Sequence, residues 1–136
     1  MCAKKKNYGV IVLKPMCKPK LIKLDDKKLS LDFMYEHCEC EVITFANAYD
    51  YNQVFQTDYS IVCDDNGLIV DKPIINPLAS VMYSFPNVLA GCCMIVREAR
   101  GNEEPDVYAI DIDECKNLFT VISSTFEFLK IEGVIK

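Results

Sequence analysis

The chain has 136 residues, of which 51% are hydrophobic and 26% charged, with 15 basic and 20 acidic side chains giving a net charge of -5. This length and balance describe one globular domain with a sizeable core and exclude a disordered polypeptide. No apolar run approaches the roughly 20 residues of a membrane-spanning helix, the longest being the strand-sized Val88–Val96.

The start MCAKKKNYGVIVL is basic but has neither the apolar region nor the small-residue cleavage site of a signal peptide. A cytosolic location is therefore expected, with residues 1–7 as a flexible basic arm of a single domain. Tyr8–Leu13 (YGVIVL) reads as a buried strand, ended by Lys14-Pro15. Lys20–Leu24 (KLIKL) reads as its hairpin partner after a turn holding Pro19. Ser30 is placed to cap a short helix from Leu31 to about His37, with Leu29 and Met34 at staple spacing and Asp32 in the first turn.

Glu41–Phe45 is strand-like, and Ala46–Gln56, rich in Asn, Asp and Tyr, predicts a loop with room for a strand fragment. The stretch Thr57–Arg97 is expected to form the centre of the fold. In it Asp58–Cys63 reads as a strand, Asn66-Gly67 as a tight primed turn, and Leu68–Val70 as the return strand. Leu78–Tyr83 fits a helical turn without requiring one. Val88–Val96 is apolar on both faces and predicts a central strand, with Gly91 marking a bulge or a close backbone approach. Val107–Ile110 is a last short strand. Asp111 with Glu114 has capping-box spacing, and Leu118, Val121, Ile122, Phe126 and Leu129 form one stripe, so Ile112 to about Lys130 is an amphipathic helix packed on the sheet. The fold class is α+β: a mixed, mostly antiparallel twisted sheet built from hairpins, with a short helix after the first hairpin and a C-terminal amphipathic helix.

Charge is distributed unevenly. Residues 1–28 hold nine lysines against Asp25 and Asp26, whereas the remainder holds six basic and eighteen acidic side chains. Lysines suit the exposed edge of a first hairpin. The acidic remainder would repel a polyanion, so nucleic acid is disfavoured as a partner.

Eight cysteines in a chain without a signal peptide read as free thiols, several of them within apolar strands. His37, Cys38 and Cys40 are the weak candidates for metal ligands. Cys-x-Cys is not the usual knuckle spacing and no second knuckle follows, so no metal or other cofactor is expected. On strand alternation Cys38 and Cys40 would share one buried face. A lone histidine beside a cysteine is no nucleophile–base constellation, and the scattered glycines make no phosphate loop. Asp64, Asp65 and Asn66 fit turn chemistry better than a calcium loop, and Asp111, Asp113 and Glu114 fit capping better than acid–base catalysis. Catalytic residues are accordingly expected to be none. Asn76 is either a turn residue bonding its own backbone or a buried amide anchoring a ligand or loop. With Lys14 and Arg97 it makes the candidate binding set for a small anionic ligand.

The ordered stretches VIVLKPMCKPKLIKLD, CEVITF, YSIVCDDNGLIVDKPIINP, NVLAGCCMIV and YAIDIDE, spanning Val10 to about Glu114, resemble the domain-of-unknown-function family 3846 of Gram-positive phages, conjugative elements and plasmids. In that family the helix after the first hairpin ends in glycines. Here His37 and Cys38 stand in that place, which disfavours a left-handed cap. Asn76 corresponds to the family's post-hairpin Asn and Gly91 to the glycine of its long strand. The resemblance implies an accessory protein of a mobile element acting inside a bacterium. The leading expectation is a small non-enzymatic binding protein, concretely a counter-defence protein that sequesters a nucleotide signal or blocks a host protein. The alternatives are a cysteine/histidine metal protein or enzyme, and a self-assembling structural module that forms homo-oligomers.

Overall fold

Two strands with almost no charge, YGVIVL and YSIVCD, can be buried on both faces, and the architecture follows from covering them. The computed structural model describes residues 7–40, 42–65, 73–84, 87–99 and 106–135. In chain order it contains β1 (Tyr8–Leu13), β2 (Lys20–Leu24), α1 (Leu31–Cys38), β3 (Ile43–Asn47), α2 (Tyr49–Phe55), β4 (Tyr59–Asp64), α3 (Pro77–Tyr83), β5 (Cys93–Ala99), β6 (Asp106–Tyr108), β7 (Ile110–Asp111) and α4 (Ile112–Ile131). The expected α+β class is what is found. Among the described residues one sheet runs β2-β1-β5-β4-β3, with β6 paired to β5 and β7 to β1. Every pairing is antiparallel. The turn at Asn66-Gly67, the return strand Leu68–Val70, residues 1–6 of the expected arm and the loop at residues 100–105 lie outside the described residues.

Side-chain alternation sorts the core into two layers. Ile11, Leu13, Ile61, Cys63, Cys93 and Ile95 face one side, under Leu78, Met82, Leu118, Ile122 and Phe126 of α3 and α4. Val10, Val12, Val62, Met94 and Val96 face the other, under Met34 and Cys38 of α1. Burying each such aliphatic side chain contributes about 2 kcal/mol. Lys20 and Lys23 of β2 are exposed, at one end of the strand order. Gly9 sets how closely α4 approaches β1: a Cβ there would lie 3.1 Å from Cys115 Sγ and 3.2 Å from the Ile22 carbonyl oxygen.

Five expectations need correction. Ala46–Gln56 is not a loop, because it contains helix α2. This helix has no side-chain N-cap bond and is held by tertiary contacts through Asn52. The Asn52 amide donates to Asn47 Oδ1 (3.0 Å) and the Tyr59 carbonyl (2.9 Å), and its oxygen accepts from Thr57 Oγ1 (2.8 Å) and Tyr59 N–H (3.0 Å). The helix after the first hairpin does end in a left-handed residue, Glu39 at φ 51, whose N–H reaches the Tyr35 carbonyl. That helix, capped by Ser30 as expected, carries Cys38 in its last turn, so strand alternation does not relate Cys38 to Cys40. Asp111 occupies the N-cap position of α4 but makes no side-chain cap bond. The ladder to β1 and the bond from Ile112 N–H to the Asn7 carbonyl fix that end (2.8 Å).

The central strand, finally, begins at Cys93 and not at Val88. Gly91 adopts φ +80, which ends extended pairing, and residues 88–92 are occupied by a network around Asn76. Asn76 is 1% exposed. Its backbone N–H donates to the Leu89 carbonyl (2.8 Å). Its side-chain NH2 donates to the Leu13 carbonyl (2.8 Å) and the Gly91 carbonyl (3.0 Å), while its Oδ1 accepts from Ala79 N–H (3.2 Å). Asn76 therefore caps α3, with Pro77 at the first helical position. Ser80 Oγ extends the network to Leu89 N–H (2.8 Å) and to the Asn76 carbonyl (2.7 Å). Replacing Asn76 by Ala removes the cap and the side-chain bonds to the Leu13 and Gly91 carbonyls, a loss of about 3 kcal/mol. Urea denaturation should show it as a lowered midpoint at constant slope, with Ser80→Ala costing about 1 kcal/mol.

Candidate functional site

Lys14 and Asn76 meet through β1. Lys14 follows Leu13, whose carbonyl Asn76 holds. The amide of Asn76 is fully engaged by protein atoms and faces no ligand space. Lys14 lines an open cleft of about 400 Å³ with Cys17, Cys38, Glu39, Asp64 and Cys92. Its Nζ lies 3.8 Å from Glu39 Oε1, and the Cys92 thiol donates to Glu39 Oε2 at 2.9 Å. One lysine facing Glu39 and Asp64 does not make this cleft an anion site.

Burial first, and then the hydrogen bond to Glu39, push the Cys92 thiol up to about 12. Burial also raises Cys38 to about 12 and Cys63 to about 11. Such thiols stay protonated at neutral pH and are poor nucleophiles. Of the weak metal candidates, His37 stacks on Phe33 (centroids 4.4 Å apart). Cys38 donates to the Val62 carbonyl (3.7 Å), and Cys40 N–H bonds the Tyr35 carbonyl (3.3 Å). Among the described residues no group of three or more His, Cys, Asp or Glu is arranged to hold a metal ion.

Arg97 is elsewhere, near the other end of β5, where it pairs in register with Tyr59 and Tyr108. Its guanidinium is hydrogen-bonded to Glu114 of α4 and lies 5.6 Å from the centre of the Tyr59 ring. Tyr59 OH donates to the same Glu114 carboxylate at 2.9 Å. Glu114, expected to serve in a capping box, is thus taken by a charge-assisted pair. The pair clamps α4 to β4 and β5 and leaves Arg97 neutralised. The structure does not bring Arg97 together with Lys14 and Asn76.

A third feature lies on the face of the sheet opposite α1. Helices α2, α3 and α4 enclose an apolar groove of about 220 Å³, lined by Val54, Phe55, Val81, Met82, Val121 and Thr125 among others. Its rim is open: Val54 is 73% exposed, Phe55 50% and Val81 39%. Tyr51 braces α2 from within, its ring 4.5 Å from Phe55 and 5.9 Å from Tyr59. The volume is below the roughly 300–1,000 Å³ of a small-molecule pocket. The Tyr51/Phe55 spacing of four was the signal that could have revealed the groove. Among the described residues no helix is long and apolar enough to cross a membrane. No family model, curated protein or solved structure matches the chain.

Two outcomes test the thiol chemistry. Iodoacetamide at about pH 8 should alkylate exposed Cys17 at least tenfold faster than Cys38 or Cys92, and Glu39→Gln should speed the reaction at Cys92. Equal rates by peptide mass mapping would contradict the geometry. Stability should also fall as pH rises from 9 towards 11. Unfolded thiols release protons near the ordinary 9.0, whereas Cys38, Cys63 and Cys92 keep theirs until about 11 to 12. Fewer protons bound in the unfolded state favour unfolding as pH increases. Urea midpoints across that range measure it.

Proposed function

We propose that this chain is a small non-enzymatic binding protein that engages a protein partner through the α2–α3–α4 groove. The observation that carries this reading is the row of exposed apolar side chains, Val54, Phe55 and Val81, on the walls of one groove. Isolated exposed apolar residues are ordinary, but a set from two helices, α2 and α3, that line one groove has the character of an interface core. The neutralised state of the cations supports a protein partner over an anionic ligand, since Lys14 is opposed by Glu39 and Arg97 by Glu114. The resemblance of its ordered stretches to family 3846 is the support for a setting in the bacterial cytoplasm, as an accessory of a phage or other mobile element. Masking a host protein, for instance a defence component, is the concrete form of that activity.

The double variant Val54→Asp, Val81→Asp changes exposed positions and should keep its circular dichroism spectrum and its unfolding midpoint. Immobilised wild-type protein should retain a defined partner from bacterial lysate, and the double variant should lose it, with affinity down at least a hundredfold from two charges placed in an apolar contact. Equal retention by the two proteins, or retention of no partner by either, would count against the groove as the recognition surface.

A further inference from the structure

Two thiols share the Lys14 cleft near its mouth. Cys17 is the exposed cysteine among the described residues, and Cys92 is half-buried. Local geometry brings them together from two directions. Lys14-Pro15-Met16-Cys17 closes a four-residue turn, with Cys17 N–H donating to the Lys14 carbonyl (3.1 Å). A turn of this size brings its first and last Cα atoms within about 7 Å. Proline at its second position and a left-handed third residue mark a type II turn, yet the third residue is Met16 at φ 62, where glycine is the unstrained choice. Backbone strain of this kind gathers at functional sites. Cys92 arrives along the sheet. The β1–β5 ladder pairs Leu13 with Cys93, so the next position outward is Lys14 on one strand and Cys92 on the other. The Asn76 amide grips both sides of this junction, at the Leu13 carbonyl (2.8 Å) and the Gly91 carbonyl (3.0 Å).

The two thiols differ in access. Cys17 stands on an exposed turn, where an oxidant in solution reaches it first. The Cys92 thiol donates to Glu39 Oε2 at 2.9 Å, and burial with that bond keeps it protonated and slow to oxidise directly. We propose that Cys17 and Cys92 form a peroxide-responsive pair, in which Cys17 is oxidised and Cys92 resolves it as a disulfide. In the first step the Cys17 sulfur attacks one oxygen of hydrogen peroxide. An S–O bond forms, the O–O bond breaks, and the Cys17 thiol proton leaves with hydroxide as water. In the second step the Cys92 sulfur attacks the sulfenic sulfur of Cys17. The S–S bond forms, the S–O bond breaks, and the Cys92 thiol proton leaves with the hydroxide as a second water. The two thiols lose two electrons and the peroxide gains them. A disulfide needs Cα atoms about 4.4–6.8 Å apart, and the Lys14–Cys17 turn, outside any helix or strand, is the part that adjusts. The product ends the Cys92–Glu39 hydrogen bond and pins the turn of the first hairpin to the start of β5. None of this depends on the apolar groove.

The test uses the full chain, fully reduced and then freed of reductant. Hydrogen peroxide is added in severalfold excess, remaining thiols are blocked with N-ethylmaleimide, and unreduced peptides are mapped by mass spectrometry. The Cys17–Cys92 disulfide should exceed any other pairing at least tenfold and disappear with dithiothreitol. The same treatment in concentrated urea should abolish that preference, because the fold creates it. In Cys92→Ser the sulfenic acid has no resolving partner, so dimedone should label Cys17 at least tenfold more than in the wild-type chain. Cys17→Ser changes an exposed turn position, should keep the wild-type circular dichroism spectrum, and should lose at least nine-tenths of the peroxide-dependent disulfide. The proposal is overturned if another pairing dominates, including Cys17 with Cys17 of a second copy, or if the wild-type chain forms no disulfide. Dimedone labelling of Cys92 in preference to Cys17 overturns it as well, and so does a pairing preference that survives in urea.

Discussion

A single carboxamide ties the end of the β1–β5 ladder to the start of helix α3. Asn76 ties the end of β1, the approach to β5 and the first turn of α3 into one buried knot. Four amide hydrogen bonds to protein atoms, three from the side chain and one from the backbone, account for why this residue is buried despite its polarity. The knot fixes where α3 starts, and α3 in turn supplies the middle wall of the apolar groove. The groove is therefore a secondary result of a structural requirement at the strand ends.

A division of labour between the two faces of the sheet follows. Helix α1 covers one face and completes a closed layer with Met34 and Cys38. On the other face lie α4, of twenty residues, and the much shorter α2 and α3, of seven residues each. Short helices cannot seal the space between themselves and a long one, and the gap is where apolar side chains remain in water.

Much of the architecture was legible because it depends on local pattern. The run YGVIVL, the cap at Ser30 and the stripe Leu118–Leu129 each announce their element. Helix α2 was not legible: YDYNQVF has weak helix formers and no capping residue, and its bonds through Asn52 come from β3 and β4. The start of β5 was misread because an apolar run does not show that Gly91 turns to positive φ when its carbonyl is claimed by Asn76. Asn76 was picked out as a residue of interest, and the choice between ligand anchor and loop anchor depended on partners 63 and 15 positions away. The groove escaped notice because it exists only between three helices, one of them unforeseen.

The place of β1 in the sheet also governs when the protein can fold. The first strand to be synthesised is flanked by β2 on one side, but its other side is completed by β5 and β7, which end at Asp111. A nascent chain leaving the ribosome can form the first hairpin early. It must then hold the inner edge of that hairpin open while some eighty further residues emerge, at roughly 5–20 residues per second. The decisive closure waits until Asp111 is available, and its long range makes folding slow relative to helical domains of this size. For those seconds the lysines of the first hairpin, Lys14 to Lys28, are the charges that keep an uncovered apolar strand from pairing with its neighbours on the polysome.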